Sequence, residues 1–361
     1  MCLKPLVKHG TVFLISAVLG IAFFFFSQDS VHAATTNQTI LFSNVGGGTG
    51  EVPATSNTVL RTGKNVDGYT MVKVDDLVQI LGATFTSESS GNTWKITRNG
   101  QIIRFVNGST SFTTENQYTI NYPATSTNKT NTLTWSGTTE KAAQMIDGVR
   151  YVRLTAAAFQ LGSLVIHYDS ASDQVKVFDF RVNSTTPFAD SNHYIVGGPW
   201  ITNWTTSLGT TQLSDNFKVN EVWCTSAYTS GTAYHRQLKF SVNQLQSLEN
   251  VRFHYNGNSS MSVSSAFRSW KNNSTTDGSW DRSFHMRGRA FDAGGQSLYN
   301  SVYNEFKYTS STPIAVGTSY WRTRVSNGKS GGYEIETMPR DGSYWLHLQR
   351  QPGYDTAQFG P

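Results

Sequence analysis

The chain writes one short pattern twice, and that repeat limits how its first half can fold. Met71-Val72-Lys73-Val74 runs into Leu77-Val78-Gln79-Ile80-Leu81-Gly82. Farther along, Tyr151-Val152-Arg153-Leu154 runs into Ala157-Ala158-Phe159-Gln160-Leu161-Gly162. Each copy alternates like a strand, continues as a short apolar helix and stops at a glycine suited to a helix C-cap. Each then reaches a further strand, near Trp94-Lys95-Ile96 or Val175-Lys176-Val177. Duplicated β-α-β units of this kind pack into one small mixed domain, predicted over residues 38–180. Gly46-Gly47-Gly48-Thr49-Gly50 reads as a loop in its lead-in.

At 361 residues the chain has room for two or three domains. Residues 181–212 hold Asn183-Ser184-Thr185-Thr186-Pro187 and Gly197-Gly198-Pro199 and no clear period, so they read as a linker. Trp200 and Trp204 are odd in a free linker; packing against a neighbouring domain is favoured over stacking on carbohydrate. The N-terminus reads as a secretory signal over residues 1–34. Lys4 and Lys8 precede an apolar run, and Val31-His32-Ala33, or Ala34, offers the small residues of a cleavage site. The run over residues 11–26 is short for a membrane helix, which needs about 20 residues, so no span is expected in the mature chain. Cys2 precedes that run, which excludes a lipoprotein cysteine, and Cys224 alone remains. One cysteine makes no internal disulfide, and beside Val222-Trp223 it reads as a buried small hydrophobe. The net charge is +5 with only 15% charged residues. That mild basic excess suits an anionic wall polymer. No dense Lys/Arg run of the kind that tracks nucleic-acid phosphates is present.

The two halves of residues 38–180 resemble the copper amine oxidase N-terminal-like, or stalk, domain. The resemblance rests on Gly68-Tyr69-Thr70-Met71-Val72-Lys73-Val74 and Gly148-Val149-Arg150-Tyr151-Val152-Arg153-Leu154, which lack that pattern's usual proline. It implies a spacer or surface-binding module. Oxidase chemistry would need a copper-binding histidine cluster, and His167 is the one histidine between Ala34 and Phe180.

The chemistry lies downstream. From about residue 213 a compact unit begins, with a short helix expected over residues 243–249 and an alternating strand at Met261-Ser262-Val263-Ser264-Ser265-Ala266-Phe267. A polar loop over residues 271–281 leads to Ser283-Phe284-His285-Met286-Arg287-Gly288-Arg289-Ala290-Phe291-Asp292. A helix capped by Ser297 follows, then strands over residues 312–316, 331–336 and 344–349. The fold class is therefore α+β: a duplicated β-α-β domain followed by a small domain with an antiparallel sheet over residues 213–361. His285, Asp292 and His347, the last inside Trp345-Leu346-His347, form a set of two imidazoles and one carboxylate. Such a set suits zinc with an open fourth position, the arrangement of hydrolytic sites. Gly288 and Ala290 allow the close approach that brings the ligands together. Arg268 could hold a substrate carboxylate or stabilise an oxyanion, its guanidinium being always charged; a structural arginine is the plainer alternative. Taken singly, each histidine and the aspartate also has an ordinary reading as a loop or strand residue. His235 and His254 lack paired spacing and read as ordinary, and His193 as solvent-facing.

This region resembles the zinc D-Ala-D-Ala carboxypeptidase family of peptidoglycan peptidases, with its hedgehog/DD-peptidase fold. Four ordered motifs carry the resemblance: Asn216-Phe217-Lys218-Val219-Asn220-Glu221, Phe267-Arg268-Ser269, Ser283 through Asp292, and Trp345-Leu346-His347. It implies a secreted or wall-associated bacterial zinc metallopeptidase, of Gram-positive type, that hydrolyses an amide bond of peptidoglycan stem peptides. His285, Asp292 and His347 would be the metal ligands. The general base departs from the pattern: where branches of the family carry a glutamate or an aspartate, this chain has Tyr344 and Gln349. Asp341 and Glu336 are the nearest upstream carboxylates and the candidate bases. The gap leaves a rival reading, a wall-binding protein that keeps the fold without the activity.

Overall fold

The computed structural model describes residues 35–47, 54–162, 165–179, 193–198, 209–225, 236–269, 272–273, 283–306, 323–326, 329–340 and 343–350. The expected signal at residues 1–34, Trp200, Trp204, His235, the strand at 312–316 and Asp341 lie outside these residues.

Two hairpins set up the first unit. Strand β2 (Ala54–Val66) turns into β3 (Tyr69–Lys73), and β9 (Gln144–Ile146) turns into β10 (Val149–Arg153). Both turns are Asp-Gly pairs with positive φ at both residues: Asp67 52° and Gly68 83°, Asp147 52° and Gly148 76°. That geometry matches the right-handed twist of the flanking strands. Strands β3 and β10 then lie side by side and antiparallel, with Val72 opposite Val152, Lys73 opposite Tyr151 and Met71 opposite Arg153. Since Met71 corresponds to Tyr151 and Lys73 to Arg153 in the repeat, each pair maps onto the other. A local two-fold axis therefore passes between the two valines. Helices α1 (Val74–Leu81) and α2 (Leu154–Gln160) follow β3 and β10 directly.

Beyond the helices the halves diverge. Hairpin β4 (Thr84–Glu88) and β5 (Thr93–Arg98) continues through β6 (Gln101–Val106), β7 (Ser111–Tyr122) and β8 (Thr127–Thr138) into a 5-stranded sheet. Hairpin β11 (Val165–Asp169) and β12 (Gln174–Asp179) instead joins β1 (Thr35–Gly47), with β12 parallel to it, in a 7-stranded sheet ordered β11-β12-β1-β2-β3-β10-β9. The core between them includes Ile40, Phe42, Val72, Trp94, Ile96, Phe105 and Val152. Strict alternation on β5 and β6 feeds it, as a half-buried strand requires.

The segment expected to be a linker contains structure. Tyr194–Gly197 is strand β13, all four residues buried, paired antiparallel with β15 (Arg236–Ser241). Short β14 (Cys224–Thr225) flanks β15 on the other side. Tyr194-Ile195-Val196 is an apolar run too brief to show a period. His193, expected to face solvent, is half-buried, with its Nε2 packed against Gly100.

The second unit carries an antiparallel 5-stranded sheet. Its order is β16 (Ser262–Ser265), β17 (Ala290–Gly294), β20 (Ser343–Arg350), β19 (Lys329–Arg340), β18 (Thr323–Ser326). Helix α3 (Val219–Val222) opens the unit, α4 (Val242–Tyr255) runs longer than expected, and α5 (Gln296–Phe306) follows β17. Val242, Leu245, Leu248 and Val251 of α4 are buried at i+3 spacing, and Gln244 Nε2 donates to Leu348 O at 3.2 Å. The molecule is thus mostly sheet with few helices, in keeping with the α+β expectation. Among the described residues no helix is long and apolar enough to cross a membrane.

The two units share a core. Tyr118, Ile120, Tyr122 and Trp135 of the β7–β8 hairpin pack in one cluster with Leu213, Phe217, Val222, Phe240, Leu245 and Leu346. Tyr118 Oη donates to Leu213 O at 2.6 Å, and Asp215 N donates to Tyr122 Oη at 2.9 Å. The Asn116 side chain accepts from Val196 N at 3.0 Å, and the Gln246 side chain accepts from Asn121 N at 2.7 Å.

Candidate metal centre

The loop into β17 turns on its small residues. Ser283 Oγ accepts from His285 N at 3.3 Å, and a 3-10 turn over Phe284–Arg287 ends at Gly288 with φ 66°. A Cβ at 288 would lie 1.9 Å from Lys239 O, so the turn presses directly on the β15 backbone. Gly288 O also accepts from Ser241 N at 2.8 Å. Only a residue without a side chain takes this conformation in this space. The turn aims His285 inward, and Asp292 follows on β17. His347 stands directly opposite Asp292 on β20, and Ser265 of β16 is opposite it on the other side. A separation of more than fifty residues in sequence becomes one rung of a sheet.

Three donor atoms converge. His347 Nδ1 lies 2.7 Å from Asp292 Oδ1 and 3.1 Å from His285 Nε2, and His285 Nε2 lies 3.3 Å from Asp292 Oδ1. A tetrahedral zinc site with arms of about 2.0–2.1 Å has edges of about 3.3 Å, so a small expansion of this triangle accommodates the ion. His285, Asp292 and His347 are all buried, and together they form a group able to hold a metal.

The ionisation states suit ligation. His285 Nδ1 is 2.5 Å from Ala266 O, which can only accept. Nδ1 therefore carries the proton, and the Nε2 lone pair faces the cluster. Burial lowers the His285 pKa, against the opposing pull of Asp292, and favours the neutral imidazole. Burial alone would raise the Asp292 pKa, but the neighbouring His285 and His347 outweigh it and hold the carboxyl well below the usual carboxylate range. Neutral imidazole and ionised carboxylate are the forms that bind zinc, and His347 Nδ1, which now donates to Asp292, would give up its proton on ligation.

Arg268 is half-buried at the same place. Its Nη2 donates to Asp292 Oδ2 at 2.8 Å and its Nε to Ser265 Oγ at 2.9 Å. Sequence reasoning aimed this residue at the substrate and missed its hold on Asp292, as it missed Ser265 and the Ala266 carbonyl. The position of Phe267-Arg268-Ser269 just after a strand gave no sign of which carboxylate it would meet. Glu336 occupies the register position opposite His347 on β19, while Tyr344 lies opposite Pro339 and Gln349 opposite both Ala290 and Glu334. His254 is exposed on α4, clear of the cluster. Cys224 is a buried thiol whose Sγ accepts from Ser269 N at 3.3 Å.

Residues 215–301 match the Peptidase M15 family model. The matched span carries Arg268, His285 and Asp292 and supports a metallopeptidase domain with a zinc-type site. No curated protein and no solved structure matches the chain.

Proposed function

We propose that the chain is a secreted zinc peptidase that hydrolyses an amide bond in peptidoglycan stem peptides, as a carboxypeptidase or an endopeptidase. The observation that carries the reading is the convergence of His285 Nε2, Asp292 Oδ1 and His347 Nδ1, each within 3.3 Å of the others. The Peptidase M15 match over residues 215–301 supports it. Zinc held by this set supplies Lewis-acid polarisation of a scissile carbonyl and a water acidified toward neutrality. Ala266 O keeps the His285 ring oriented, and the rung shared by Asp292 and His347 sets the spacing of the other two donors. Glu336, in register with His347, and Asp341 are the candidate proton acceptors of this reading. The leader pattern at residues 1–34 supports export to the wall, where the 38–180 domain serves as spacer or wall-polymer module.

A second reading has its own observation. Tyr344 and Gln349 occupy the positions at which members of the resembled family carry a base. A wall-binding protein with an intact metal site and no turnover would look the same.

One experiment separates them. Purified peptidoglycan is digested with the full chain, with and without a chelator, and the fragments are read by mass spectrometry. Chelator-sensitive release of new amines, lost in His285→Ala together with bound zinc, is the expected result. Stoichiometric zinc without cleavage would establish the second reading. Unchanged zinc content and activity in His285→Ala would remove the first.

A further inference from the structure

The carboxylate of Asp292 is divided between two tasks. Its Oδ1 faces His285 and His347, and its Oδ2 is taken by Arg268 Nη2 at 2.8 Å. The guanidinium is pinned at its other end, where Nε donates to Ser265 Oγ at 2.9 Å. The Arg268 backbone is tied in as well, its N donating to His285 O at 3.2 Å. Ser265 sits opposite Asp292 in the sheet register, so the serine, the arginine and the aspartate close a short loop across β16 and β17. A planar guanidinium held at both ends cannot swivel away as a lysine could. A carboxylate with one oxygen held in this way offers only the other to a metal. With both oxygens free it could bind through both and fill the coordination position that hydrolysis needs open.

We propose that Arg268 is a positioning residue that holds Asp292 as a one-oxygen metal ligand, keeping a coordination position open for water and substrate. The inference rests on the metal-centre reading above. It reassigns Arg268 from substrate contact to ligand control.

Cobalt(II) serves as the probe, because its visible bands report coordination number. The full chain and Arg268→Ala are each loaded with cobalt(II) alone, and their spectra are compared. Turnover of a peptidoglycan stem peptide by both proteins follows. The wild-type protein is expected to bind one cobalt with the intense bands of a four-coordinate site. The variant should still bind one ion, but with several-fold weaker bands as the freed Oδ2 takes a second position. Its kcat should fall about 10- to 100-fold, as for loss of an outer-shell partner, with KM little changed. An unchanged spectrum with a raised KM would show that Arg268 contacts substrate, and would overturn the proposal while leaving the metal centre standing. Failure of the wild-type protein to bind cobalt would sink the metal-centre reading itself. Should Arg268→Ala not fold, Ser265→Ala removes only the anchor of Nε. The same loss of band intensity, smaller in extent, is then expected, and an unchanged spectrum counts against the proposal.

Discussion

Gly288 shows how much one position can carry. Its φ of 66° lies in the region costly for residues with a side chain, and its missing Cβ leaves room for Lys239 O. The left-handed conformation alone costs about 1–2 kcal/mol in a residue such as alanine, before the clash with β15 backbone is relieved. Gly288→Ala should therefore lower the urea midpoint and reduce zinc content together, since the turn that aims His285 is the turn that must move. Denaturation curves and metal analysis on the purified variant check this. A variant with wild-type midpoint and full zinc would show that the β15 backbone yields cheaply. Arg268 teaches the same lesson from the other side. Its charge and donor fork were plain in the sequence, but its partner is chosen by the register of β16 against β17.

The β7–β8 hairpin is the element with a double membership. Its two strands are 12 residues each, against 6 for β5 and β6, and the extra length lies over the second unit. Alternation along β7 buries Phe112, Thr114 and Asn116 and then Tyr118, Ile120 and Tyr122. The alternation runs unbroken along the strand and does not distinguish the two destinations. Trp135, 6% exposed, belongs to the shared cluster. Trp135→Ala should cost about 3–5 kcal/mol, as for a large aromatic removed from a core, and should weaken the second unit although Trp135 lies outside it. Chemical denaturation followed both by backbone circular dichroism and by zinc release tests the coupling. Zinc release at the wild-type denaturant concentration would show that the hairpin is dispensable to the second unit.

For the whole molecule, the segment expected to be a linker holds a buried strand, and the two described units share one core. Strand β13 precedes the matched family region yet pairs with β15. The Lys239 side chain bonds Gly162 O in the first unit while its backbone supports Gly288 in the metal loop. Interfaces between independent domains are usually more polar than this. Calorimetry of the full chain should show one cooperative transition. Residues 209–361 expressed alone should melt lower or aggregate, because the cluster that receives Tyr118, Ile120 and Trp135 would be exposed. A soluble fragment with the full chain's melting temperature would refute this.

What the sequence determined by itself is local or carried by ordered motifs. The repeat around Met71 and Tyr151, the strand–helix units it opens, and the candidate group of His285, Asp292 and His347 were readable, because backbone preference and side-chain chemistry belong to single residues and their near neighbours. Tertiary structure alone decided which distant residues meet. The Val72–Val152 axis, the parting of the two hairpins into different sheets, the strand hidden in residues 194–197, the sharing of Asp292 between two histidines and Arg268, and the register that puts Glu336 opposite His347 all depend on strand pairing across long sequence separations. Alternation states which side of a strand is buried, and carries no record of what buries it.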